Sequence, residues 1–295
     1  MKIATFSYDG KTRLGIVNGV EICDVSADDS CPQDMHALLL GGDAAMSRLV
    51  LAAASLPRMA LADVVLQAPV PRPRKFLGIG LNYHAHRHEL IERGVKVPEL
   101  GTQMWFNKQV TCVSGPYDPI HMPRVSTMLD YEGELACVIG RRCRHVPKAE
   151  ASRAIFGFMV ANDVSVRDWQ AASPTGTLGK SFDTHGPCGP WVTTADEVVD
   201  PHALALRTFV DGELRQDGNT GDMIASFGDM IAHLSTVFTL EPGDVLITGT
   251  PCGVGQGFDP PKFLKLGQTV RVEIEGLGAI ENKVVVEPSS TSILP

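Results

Sequence analysis

The chain has 295 residues, and 26 Lys and Arg against 34 Asp and Glu give a formal charge of −8. That length buries a full core without disulfide or metal staples, and 44% hydrophobic with 20% charged residues fits a globular protein. Mild acidity without a basic stripe argues against a nucleic-acid partner, and 29 Gly with 20 Pro in no repeat exclude collagen and low-complexity disorder.

The N-terminal stretch MKIATFSYDG lacks the apolar region of a secretory signal. No run reaches the roughly 18 to 20 apolar residues of a membrane helix. A cytoplasmic protein with no membrane partner is therefore expected. The seven cysteines (Cys23, Cys31, Cys112, Cys137, Cys143, Cys188 and Cys252) are scattered and never spaced C-x-x-C, as suits reduced thiols.

Residues 1–70 read as a small α/β module. Ile3–Tyr8, Leu14–Asn18 and Val20–Val25 are short β-like runs, separated by the turn signals Asp9-Gly10 and Asn18-Gly19. Met35–Leu56 reads as helix with a break near Gly41-Gly42. Pro69, Pro71 and Pro73 then stiffen a connector, and we place the boundary there. Residues 71–295 read as a second, β-rich domain with interspersed helices.

That domain opens on Gly78-Ile-Gly-Leu-Asn-Tyr-His84-Ala-His86-Arg-His88-Glu89. On a strand, His84, His86 and His88 would share a face and could bind metal. On a helix, His86 and Glu89 are i,i+3 neighbours, and the carboxylate can orient an imidazole that takes a proton from water. The run also looks like a cupin metal motif, although Glu89 comes one residue early and Gly94 misses its spacing.

Next comes Leu129-Asp-Tyr-Glu-Gly-Glu-Leu-Ala-Cys-Val-Ile-Gly140. On a strand, Glu132 and Glu134 project together, whereas on a helix they would point about 200° apart. Two adjacent carboxylates near a core repel unless a cation sits between them, and oxygen ligands favour Mg²⁺, Mn²⁺ or Ca²⁺ over zinc. A solvated strand face is the alternative. Phe158–Asp163 is an apolar run ending in Asn-Asp, so Asp163 falls at a strand end, where ligands gather. Ser165 and Asp168 then match the S-x-x-D start of a helix.

Gly179-Lys180-Ser181 looks like the end of a P-loop, but Pro174 stands where the motif needs Gly. Thr248-Gly-Thr-Pro-Cys-Gly-Val-Gly255 follows the strand Val245–Thr248, and its N–H groups and the Thr250 hydroxyl can approach a carboxylate. Phe227–Leu240 reads as an amphipathic helix. In Thr269–Glu275, Val270, Val272 and Ile274 alternate with charged residues as in a half-buried strand, and Val284–Val286 follows as another.

Taken in order, five segments resemble the fumarylacetoacetate hydrolase family. They are Gly80-Leu-Asn-Tyr83 with His86-x-x-Glu89, Asp130-Tyr-Glu-Gly-Glu-Leu135, Asn162-Asp-Val-Ser-Val-Arg-Asp168 with Gln170, Gly179-Lys-Ser-Phe-Asp183, and Ile247-Thr-Gly-Thr-Pro251. The resemblance covers roughly residues 71–287 and implies a mixed, β-rich α+β fold. A catalytic domain of the family type would follow the small N-terminal module, in a homodimer. It implies a divalent ion, Mg²⁺ or Mn²⁺ with Ca²⁺ as a third choice, held by Glu132, Glu134 and Asp163. It implies that His86 and Glu89 activate water on a lid helix over residues 84–93, with Lys180 as a third catalytic group. Tyr83, Arg167, Gln170, Gly249 and Thr250 would contact substrate. His84-Ala85 and Phe106-Asn-Lys-Gln109 depart from the usual family pattern near the pocket, so the acyl group is not carried over.

The expected substrate is a small 2-oxo acid with a second carbonyl at position 4, an acylpyruvate such as fumarylpyruvate or maleylpyruvate. Hydrolysis of its C–C bond would release pyruvate and a carboxylic acid. Isomerisation or decarboxylation of an unsaturated oxo diacid in aromatic catabolism is the rival within the family. A cupin-like oxygenase and a non-catalytic binding protein are rivals outside it.

Overall fold

The computed structural model describes residues 1–289; positions 290–295, the end of the expected second domain, lie outside the described residues. Most strands belong to a twelve-stranded sheet and a five-stranded sheet. The chain begins with the strands Lys2–Tyr8, Lys11–Asn18 and Glu21–Asp24, antiparallel in series. Asp9 and Gly10 both take positive φ, 48° and 71°, as a two-residue hairpin turn requires. Lys2–Tyr8 also pairs with Gly186–Thr194, so these first strands continue the large sheet. Beyond Gly186–Thr194 run Ile155–Asn162, Gly133–Ile139, Val245–Ile247, Phe76–Gly80 and Met104–Lys108, in that order.

Gly133–Ile139 is buried along its whole length, so its alternating side chains feed two cores. Leu135, Cys137 and Ile139 pack with residues of the five-stranded sheet and the helix Phe227–Val237. Ala136 and Val138 pack with the helix Met35–Ala52 and the N-terminal strands. Each fully buried Leu or Ile in these cores contributes roughly 1.5–3 kcal/mol over an exposed one. The helix Met35–Ala52 breaks at Gly42, whose φ of 54° no helix contains.

Two local expectations need correction. The helix from Phe227, started by a Ser226–Asp229 capping box, ends at Val237 rather than Leu240. Leu240 instead exchanges two backbone hydrogen bonds with Cys143. The S-x-x-D pattern at Ser165 caps no helix: Ser165 sits in a two-residue strand paired with Leu129–Asp130, and its hydroxyl donates to the Asp163 carbonyl. The helix Arg167–Ala172 starts there without a side-chain cap. All seven cysteines are free, and no helix among the described residues is long and apolar enough to cross a membrane.

Candidate active site and metal centre

The centre of the site lies where two neighbouring strands end. Gly133 pairs with Asn162, and the Asp163 N–H donates to the Glu132 carbonyl at 2.8 Å, which sets these two residues side by side. Gly133 between the two glutamates has a steric reason: a Cβ there would lie 2.3 Å from Thr208 Oγ1 on the five-stranded sheet. Glu132, Glu134 and Asp163 are all buried, and their carboxylate oxygens lie within 4.8 Å of one another.

Cations surround this cluster unevenly. Lys180 Nζ bridges Glu132 Oε2 and Asp163 Oδ2, at 2.5 Å from each. Lys108 Nζ holds the other Asp163 oxygen at 2.7 Å. Arg167 pairs with Glu132 Oε1 at 2.7 Å, and its Nε donates to Asp130 at 2.8 Å. Among the described residues, Glu134 receives only the Gly249 N–H, at 2.8 Å. The titrations follow this arrangement. Burial works to raise the Glu132 carboxyl, but Arg167 and Lys180 outweigh it and hold the group far below the usual range. Burial works to lower the Lys180 ammonium, but Asp163 and Glu132 outweigh it and raise the group. Burial, then Asp163 and Glu132, push Glu134 well above an ordinary carboxyl.

The cluster therefore fits a divalent cation. An ammonium already bridges two of the carboxylates, and the third is buried beside them without a cationic partner among the described residues. All the donors are hard oxygens, the set that Mg²⁺ and Mn²⁺ prefer.

An ion needs Glu134 ionised, and the raised carboxyl holds its proton until the pH passes its folded value. Mn²⁺ affinity should therefore fall as the pH drops below that value, by about tenfold per unit for one proton displaced. Calorimetric titration in buffers of different ionisation heat should detect that proton leaving. Binding that releases none at any pH would contradict the protonated Glu134.

His84–Glu92 is a helix, which decides among the three readings of the histidine run. His84 and His88 are exposed, and only His86 is buried. The strand and cupin arrangements are thereby excluded, since on a helix His86 points away from the face shared by His84 and His88. His86 Nδ1 lies 2.9 Å from Glu89 Oε2, leaving Nε2 as the nitrogen free to take a proton. Glu89 Oε1 accepts the Gly253 N–H at 3.1 Å. The helix is also tied by the Ala85 N–H to Asp222 and by Arg93 to the Gln256 and Phe258 carbonyls.

A cavity of about 420 Å³ opens over the cluster. Its walls include His86, Glu132, Glu134, Arg167, Gln170, Lys180, Gly249 and Thr250, so eight of the expected site residues come together. Asp163 and Glu89 act from behind these walls. Tyr83 is the exception, fully buried and not part of the wall. The Gly-rich loop does meet carboxylates, and these belong to the protein itself. Its donors already serve the protein's own groups: Gly249 binds Glu134, Gly253 binds Glu89, Gly255 binds Asp130, and the Thr250 hydroxyl donates to the Gly133 carbonyl.

Two residues escaped the sequence reading. Lys108 lies within Phe106-Asn-Lys-Gln109, flagged only for its departure from the family pattern. Asp130 accepts from Arg167 and from the Tyr131, Gly255 and Gln256 N–H groups, and so anchors the loop beneath the dyad helix. It stood in the quoted motif without a role.

Comparison with known proteins agrees with this geometry. Residues 75–285 match the family described as fumarylacetoacetate (FAA) hydrolase, C-terminal. The human mitochondrial oxaloacetate tautomerase FAHD2A is 43% identical over 273 residues, 91% of this chain and 85% of that protein. The crystal structure of maleylpyruvate hydrolase from Sphingobium sp. SYK-6, in complex with manganese(II) and pyruvate, superposes with a TM-score of 0.82 at 34% identity. It covers 98% of this chain and 100% of that one. The 5-carboxymethyl-2-hydroxymuconate delta-isomerase from Mycobacterium smegmatis gives a TM-score of 0.76 at 32% identity, over 97% of this chain and 100% of that one.

Proposed function

The chain belongs to the fumarylacetoacetate hydrolase family, and from that premise we propose that it hydrolyses the C3–C4 bond of a 2,4-dioxo acid of the acylpyruvate type. The observation that carries this reading is the His86–Glu89 pair, with His86 in the wall of the same cavity as the carboxylate cluster. A Mg²⁺ or Mn²⁺ ion held by Glu132, Glu134 and Asp163 would supply Lewis acidity toward an oxo acid.

The chain's own groups account for the proton movements. His86 Nε2 takes a proton from water, and Glu89 stabilises the resulting imidazolium through Nδ1. The hydroxide adds to the C4 carbonyl. The C3–C4 bond breaks and its electron pair becomes the enolate of pyruvate, beside the Lys180 ammonium. The proton held by His86 returns to C3. The products are pyruvate and a carboxylic acid, so one water is consumed and the atoms balance. Arg167 fixes Glu132 and Gln170, keeping that wall in place.

A second reading is tautomerisation of a 2-oxo acid, supported by the human relative named as an oxaloacetate tautomerase. A proton would then move between C3 and oxygen beside the Lys180 ammonium, with no water activated by the His86–Glu89 pair. One experiment separates the two. The Mn²⁺-loaded protein with an acylpyruvate should release pyruvate in step with loss of enol absorbance. Enol conversion without pyruvate would move the tautomerase to first place.

A further inference from the structure

We propose that the outer half of the cavity selects 2-oxo acids whose far end is uncharged and apolar, and discriminates against those ending in a second carboxylate, among them the fumarylpyruvate and maleylpyruvate expected from the sequence. The inference rests on the reading that the 2-oxo acid head sits at the carboxylate cluster.

The cavity has an ionic end and an apolar end. Among the described residues, the only Lys or Arg side chains in its wall are Arg167 and Lys180. Both are committed, Arg167 to Asp130 and Glu132, and Lys180 to Glu132 and Asp163. The Phe106 ring lies 5.0 Å from Lys180 Nζ and marks the ionic end. Met104 is two residues back along that strand, on the same face and therefore about 7 Å further out. Leu90 stands one turn along the dyad helix from His86, and the Val95 N–H donates to the Leu90 carbonyl at 3.0 Å, which brings Val95 alongside. Trp105, Pro174 and Val254 add to the apolar wall, beside the neutral polar groups of Ser173, Thr175 and Gln256.

Other cations are close in sequence but not available. Arg87 donates to the Pro98 carbonyl, and Arg93 donates to the Gln256 and Phe258 carbonyls. Lys96 follows Val95 but is exposed and not part of the wall. Charge balance points the same way. The carboxylates of Glu89, Asp130, Glu132, Glu134 and Asp163 face the cations Lys108, Arg167 and Lys180. A divalent ion brings that group to neutrality, and the head carboxylate of one substrate then makes it negative. A second carboxylate would enter against like charge, with no free lysine or arginine among the described residues of the wall to receive it. Met104 and Val95 are 43% and 46% exposed, apolar surface that an alkyl or aryl group would cover.

Matched ligands test this without requiring turnover. With Mn²⁺ present, calorimetry should find 2-oxohexanoate at least about tenfold tighter than 2-oxoadipate, the difference expected of one unpaired charge. Affinity should rise by about three- to fourfold per added methylene along the unbranched 2-oxo acids. Met104→Arg, a change at a partly exposed position outside the catalytic groups, should reverse the preference by about tenfold. Equal or tighter binding of 2-oxoadipate, or an unchanged preference in Met104→Arg, would overturn the inference. If the binding preference holds but no acylpyruvate is cleaved, the hydrolase reading fails and this inference stands.

Discussion

Glu134→Gln should leave the metal-free protein at least as stable as the parent while weakening Mn²⁺ binding by more than a hundredfold. Outer-shell partners of metal ligands already cost about 10- to 100-fold in affinity, and Glu134 is placed to touch the ion. The stability half follows from the uneven cations. Burial, Asp163 and Glu132 raise the Glu134 carboxyl, so its native form is most favourable while protonated. A carboxyl raised on folding lends stability below its unfolded value and loses it as the pH rises through the folded value. Gln copies the protonated form and removes that loss. Glu132→Ala should behave in the opposite way, because it strips one partner from both Lys180 and Arg167 inside the protein. Breaking such a buried pair costs about 3–5 kcal/mol. Thermal unfolding in a chelator should therefore rank Glu134→Gln at or above the parent and Glu132→Ala well below it. Equal losses in both variants would refute the account of the cluster's charges, and parental Mn²⁺ affinity in Glu134→Gln would remove Glu134 from the ligand set.

What the sequence made legible was local. The alternation in Thr269–Glu275, the two-residue spacing of Glu132 and Glu134, and the three-residue spacing of His86 and Glu89 each depend on one backbone period, and all three hold. What it hid depends on distant partners. Lys108 stood out only as part of a departure from the family pattern, and its burial is explained by Asp163, 55 positions away, and by the Lys180 carbonyl, 72 away. Ser165 matches a capping pattern, yet its place in a strand is set by Asp130 on another segment. The Gly-rich loop was read correctly as a set of N–H groups aimed at carboxylates. The carboxylates turn out to be Glu134, Glu89 and Asp130, so these N–H groups hold the site, while Gly249 and Thr250 also line the cavity.

His86→Ala should lower acylpyruvate cleavage by about 10²- to 10⁴-fold, the range for losing a general base. Binding should survive, because His86 is on the helix His84–Glu92 while the carboxylate cluster is held by the sheet. Only one histidine of the run can act this way. His88 pairs with Glu92 in solvent and His84 is exposed, so His88→Ala should cleave at nearly the parental rate. Glu89→Gln should fall between them. The glutamine keeps a group beside Nδ1 but gives up the charge that stabilises an imidazolium, and it alters the oxygen that receives the Gly253 N–H. The diagnostic measurement is exchange of the C3 hydrogens of a dioxo acid with D₂O in the presence of Mn²⁺. Exchange requires the enolate but not an activated water. It should survive His86→Ala to a greater degree than cleavage does. Parental cleavage in His86→Ala, or a neutral Glu89→Gln, would mean that water is not activated by this pair. Exchange at C3 without cleavage in the parent protein would instead favour the tautomerase reading, which needs no added water.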